Sequence, residues 1–151
     1  MDKRYQLDKS PIEIRLYFAE SGMLISDEDY NKMKNKPKEI VDNKEIYKVD
    51  DKDFIVYIER FNFTRASWKL MGRIESLSMM ITGQISAVDL AYNQLRYCLK
   101  ECSLFALEFE KDSVGHERIK NFDKLISEDG IKPYIINEAL RRYQHKLENV
   151  L

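Results

Sequence analysis

The chain has 151 residues, 44% of them hydrophobic and 34% charged, which suits a folded domain with an ordinary core and excludes a disordered chain. A formal net charge of −1 provides no overall field to draw in nucleic acid or acidic lipid. The longest apolar-rich stretch, LMGRIESLSMMI, is interrupted by Arg73 and Glu75 and falls short of the roughly 18–20 residues that span a bilayer.

The polar start MDKRYQLDKSP lacks the apolar core of a secretory signal. These features predict a single domain over residues 1–151, in the cytoplasm, with reduced thiols and no membrane contact. Lys, Ile, Asn, Glu and Tyr are favoured over Ala, Gly and Pro, a bias that suits an AT-rich coding sequence such as that of a low-GC bacterium, a phage or a mobile element.

In chain order, PIEIRLYF alternates cleanly, with Ile12, Ile14, Leu16 and Phe18 on one face, and reads as a half-buried strand. Ser26 caps a short helix whose first turn carries Asp27, Glu28 and Asp29 and which Pro37 should stop. KEIYKVDDKDFIVYIERFNF reads as a hairpin turning at Asp50 to Asp53. Its second arm is apolar on parts of both faces and should be the central strand of a small antiparallel sheet.

From Thr64 the period becomes helical. Thr64 reads as the cap of a helix near 65–81 with the stripe Ala66, Leu70, Ile74, Leu77 and Ile81, and Gly83 as its stop. Ser86 reads as the cap of a long helix near 87–111. A third helix is expected near 116–128, and a fourth from Pro133 to about 149. The predicted fold is α+β: a small antiparallel sheet of about three strands in residues 1–63, then about four helices packed on it in residues 64–151.

Cys98 and Cys102, the only two cysteines, fall inside the apolar stripe of the long predicted helix, which reads as packing. A zinc site wants about four spaced ligands, and His116 and His145 are distant in sequence with no paired spacing. No metal or cofactor is therefore expected. A phosphate-cradling glycine loop and the G-x-S-x-G elbow are both absent from the sequence. A metal-nuclease pattern begins with Asp53 and Glu59, but Phe61 stands where its lysine belongs. No catalytic residue is assigned, and the chain reads as a non-enzyme.

Two helices offer contact surfaces. On the Thr64 helix, Trp68, Gly72 and Met79 fall opposite the apolar stripe, with Met71 and Met80 between. Either this is a central helix covered on two sides, or Trp68, Met71, Met79 and Met80 meet a partner; tryptophan is enriched at binding hot spots and methionine adapts to varied surfaces. On the last helix, Ile136, Leu140, Tyr143, Leu147 and Val150 form a two-heptad seam that either docks on its own domain or pairs with another chain.

The expected function is a non-catalytic protein–protein interaction protein (an adaptor, assembly factor or inhibitor) whose partner is another protein or a second copy. The alternative is a nucleic-acid-binding accessory or regulatory protein that meets phosphates through Lys132, Arg141, Arg142 and Lys146 around Tyr143.

Overall fold

A computed structural model describes residues 2–33, 37–49 and 52–148. The strands are β1 (Ile12–Ala19), β2 (Leu24–Ile25), β3 (Pro37–Val41), β4 (Lys44–Val49), β5 (Lys52–Phe63), β6 (Leu99–Cys102), β7 (Phe109–Lys111) and β8 (Glu117–Ile119). The helices are α1 (Asp27–Met33), α2 (Trp68–Leu77), α3 (Ala87–Cys98), α4 (Phe122–Leu125) and α5 (Pro133–Glu148). The class is α+β, but the expected three strands are overturned: six strands form one antiparallel sheet in the order β2-β1-β5-β4-β3, with β6 also on β5, and β7 and β8 form a second.

The chain divides into two compact units, residues 15–60 and residues 1–14 with 61–151, so β1 and β5 each contribute to both. The alternation predicted for β1 holds, since Ile12, Ile14, Leu16 and Phe18 are all buried. β5 is the central strand, as its two-faced apolarity requires. Asp50 and Asp51 of the predicted hairpin turn lie outside the described residues, while the pairing from Val49↔Lys52 to Lys44↔Tyr57 sets the register.

In the unit of residues 15–60, β3 and β4 join through Asp42 and Asn43, and Asp42 takes the left-handed φ of 51° that a two-residue hairpin loop demands. Ser26 caps α1 through a hydrogen bond from the Asp29 N–H. Tyr30 and Tyr47 both donate to Glu45 Oε1, at 2.6 and 3.2 Å, and Tyr17 stacks on Tyr30 at 3.6 Å. Burial first, and then the Glu45 charge, push the Tyr47 phenol up to about 12.

The second unit departs most from the expected helices. The long helix ends at Cys98, because the Thr64 N–H takes the Cys98 carbonyl at 2.8 Å and the chain turns into β6. Phe61 then pairs with Cys102 and Phe63 with Leu99, so β6 carries one extra residue as a bulge. The bulge puts Leu99 and Cys102, three apart, both into the core. That spacing matches one helical turn, which is why the strand reads as helix.

The helix expected near 116–128 shrinks to α4, because residues 117–119 pair with β7 as β8. Asp112 opens their hairpin, accepting from the Val114 and His116 N–H groups, and Gly115 supplies a φ of 90°. α2 is capped by Ser67 rather than Thr64 and stops at Leu77, well before residue 81.

Candidate interaction surface

α2 is a peripheral helix. Of its ten residues only Ile74 is buried, so the reading of a central helix covered on two sides fails. The expected core stripe breaks at both ends: Ala66 precedes the helix, Leu77 is exposed, and Ile81 lies fully exposed beyond the helix. Trp68 sits in the first turn, 88% exposed, with Met71 exposed one turn on.

Between α2 and α3 the chain forms a short apolar finger over residues 79–85. Met79 bridges to Ile85, the Met80 N–H donates to the Gln84 carbonyl at 2.7 Å, and the Gly83 N–H donates to the Met80 carbonyl at 2.9 Å. Gly83 is no helix stop; its φ of 85° makes this turn, which a side-chain-bearing residue adopts only with strain. Buried Ser78 fastens the base. Its hydroxyl donates to the Ile74 carbonyl at 2.6 Å and accepts from Asn93 Nδ2 at 3.1 Å, and its carbonyl accepts from the Ser86 N–H at 2.9 Å. The finger is thus held in one shape while Met79, Met80, Ile81 and Ile85 remain exposed.

The seam of α5 is placed otherwise. Ile136, Leu140 and Tyr143 are buried within their own unit, Leu147 is half-buried, and Val150 lies outside the described residues. Tyr143 stacks on Phe63 at 4.3 Å and donates its hydroxyl to the Thr64 carbonyl at 2.6 Å. These apolar side chains therefore turn α5 toward its own unit.

The basic residues are largely engaged within the chain. Arg141 and Arg142 both donate to Glu138 Oε1, at 2.6 and 2.8 Å. Hydrogen bonding to Arg141 leads in lowering the Glu138 carboxyl to about 2, against the opposing effect of burial. Lys146 Nζ donates to the Glu13 carbonyl at 3.1 Å, and Lys132 is exposed. The arginine pair is neutralised in part by a carboxylate that a phosphate would have to displace.

Cys98 and Cys102 are buried in the core and form no disulfide, and burial pushes the Cys98 thiol up to about 11. Among the described residues no three His, Cys, Asp or Glu side chains gather as a metal site. Glu59, considered for the nuclease pattern, is buried and accepts from Asn43 Nδ2 at 3.1 Å. Asp53 is exposed.

One buried ionic cluster had no sequence signal beyond its turn residues. Asp112 Oδ2 accepts from the Tyr97 hydroxyl at 2.7 Å and from Arg73 Nε at 3.0 Å, while Oδ1 takes the two backbone N–H groups of its turn. Burial opposes the charge, but these four donors outweigh it and hold the carboxyl well below the usual range. These bonds fix the hairpin to α2 through Arg73 and to α3 through Tyr97.

No helix among the described residues is long and apolar enough to cross a membrane. Comparison with protein families, with curated proteins and with solved structures finds no match to this chain.

Proposed function

We propose that this protein is a non-catalytic interaction protein, an adaptor, assembly factor or inhibitor, and that it meets its partner protein through α2 and the finger that follows. One observation carries the reading. Among the described residues, seven of the twenty large hydrophobic side chains that stay exposed fall within residues 68–85. Single exposed apolar residues are ordinary, but a concentration of them on ordered backbone marks a contact site. Trp68, Met71, Met79 and Met80 belong to it, joined by Ile81 and Ile85 of the finger. Tryptophan supplies a large rigid anchor, and the methionines adapt around it. A reducing cytoplasmic location suits two buried cysteines that form no disulfide.

The test is the solution mass by light scattering across protein concentration and salt, together with affinity capture from the native host. Trp68→Ser with Ile81→Ser should abolish any salt-resistant self-association or captured stoichiometric partner while leaving the circular dichroism spectrum unchanged. An association that survives this double variant would refute the assignment of the surface.

A further inference from the structure

Away from the finger tip, α3 and α5 flank an open cleft of about 500 Å³. Ala91 and Leu95 of α3 and Ile136 and Leu140 of α5 line it, and Ile131 joins them from the segment before α5. At one end the helices are tied by Gln144 Nε2, which donates to Gln94 Oε1 at 2.8 Å. Along α5 the cleft runs from Pro133 to Leu140, about 11 Å at the usual helical rise. Its size falls in the range of about 300–1,000 Å³ typical of small-molecule sites.

The chemistry of the walls selects the occupant. None of the eleven lining residues carries a charge, so a bound ion would leave water without a counter-charge. Two lining side chains are polar, Tyr92 and Asn137; both are exposed at the cleft mouth, and neither hydrogen-bonds to another described residue through its side chain. The Tyr92 ring is steadied edge-on against Phe122 at 4.6 Å. Apolar walls with a few convergent hydrogen-bonding groups are the usual composition of a ligand pocket.

We propose that the α3–α5 cleft binds an uncharged, compact, largely apolar small molecule bearing one hydrogen-bonding group, its ring or alkyl body against Leu95, Ile131, Ile136 and Leu140 and its polar group on Asn137 or Tyr92. The site is separate from the α2 surface and does not depend on that reading.

N-phenylnaphthylamine is the probe: it is uncharged, joins a naphthyl and a phenyl ring system through one N–H, and brightens in apolar surroundings. The full chain should bind it saturably, one to one, in the micromolar range. Ala91→Phe, which fills the cleft, should weaken binding by at least about tenfold with no loss of melting temperature. Met79→Ser with Ile81→Ser should leave binding unchanged. Amide shift mapping on the unsubstituted protein keeps the test valid if Ala91→Phe fails to fold: shifts centred on residues 87–95 and 131–140, with the Asn137 side-chain amide among them, are expected. Non-saturating binding, binding indifferent to Ala91→Phe in a folded variant, or shifts centred on Trp68 and Ile81 would each overturn the proposal; the last would mean that the probe is reading the protein-contact surface.

Discussion

Two substitutions on α2, six residues apart, should behave in opposite ways. Ile74 is 5% exposed and Trp68 is 88% exposed. Ile74→Ala removes buried methyl groups and leaves a cavity, a change that costs about 2–5 kcal/mol. For a chain of this size each kcal/mol moves the melting temperature by about 2–4 °C, so the expected fall is roughly 4–20 °C. Trp68→Ala removes a far larger side chain, but one that is already in water. Its cost should stay within about 0.5 kcal/mol, and the better helix propensity of alanine partly offsets even that. Thermal melts followed by circular dichroism read both changes on one scale. Trp68 is the only tryptophan, so its emission gives a second, independent readout. Diluted until light scattering shows a monomer, the protein should show water-like emission that acrylamide quenches nearly as well as in the unfolded chain. A Trp68→Ala loss comparable with that of Ile74→Ala, or blue-shifted and protected emission from the monomer, would refute the placement of Trp68 and with it the proposed contact surface.

Other consequences follow from the buried groups. Asp112→Asn removes the charge that Arg73 and Tyr97 face and should cost about 2–3 kcal/mol in urea unfolding at pH 7. Because the folded carboxyl is held below its unfolded value near 3.9, its contribution is full above that pH and fades as pH falls through the lower folded value. The gap between the two proteins should therefore be constant from about pH 7 to 5 and close below about pH 4; a gap that widens in acid would contradict the cluster. Tyr143→Phe leaves the Thr64 carbonyl without its donor and should cost about 1–2 kcal/mol by the same unfolding assay, with an unchanged midpoint counting against the bond. Cys98, fully buried with its thiol raised, should resist an aromatic disulfide reagent in the native state and react once guanidinium unfolds the chain. Rapid native titration of both thiols would contradict the buried placement.

The elements legible in the sequence are those whose signal is local. β1 and the β4–β5 hairpin show their period of two, Ser26 announces α1, and Pro133 begins α5 where expected. β6 was hidden because its bulge spaces Leu99 and Cys102 like neighbours on a helix, so the tertiary pairing with β5 was invisible to periodicity. β7 and β8 are three residues each, too short for a pattern, although Asp112 and Gly115 carried the turn chemistry that could have flagged them. The Asp42–Asn43 loop of the β3–β4 hairpin left a similar unread signal.

For the contact surface, the sequence singled out Trp68, Met71, Met79 and Met80 by type and spacing but could not say what covers them. It also assigned Ile81 to a core stripe, because helical phase was extended past the true end of α2 at Leu77. The seam of α5 shows the same limit. Apolar heptad spacing is the same whether the helix docks on its own unit or on another chain, and only the burial of Tyr143 against Phe63 separates the two. The α3–α5 cleft leaves no trace in the sequence, since its walls are ordinary apolar positions and the space between them is set by how the helices pack.

The most direct measurement is site-specific photocrosslinking in the native host, with a photoreactive phenylalanine placed at Trp68, at Ile81 and, as an exposed control, at Glu128. The account predicts one discrete crosslinked protein, either a second copy or a single heterologous chain, common to positions 68 and 81 and absent at 128. No discrete product at 68 and 81, or the same products at all three positions, would contradict it.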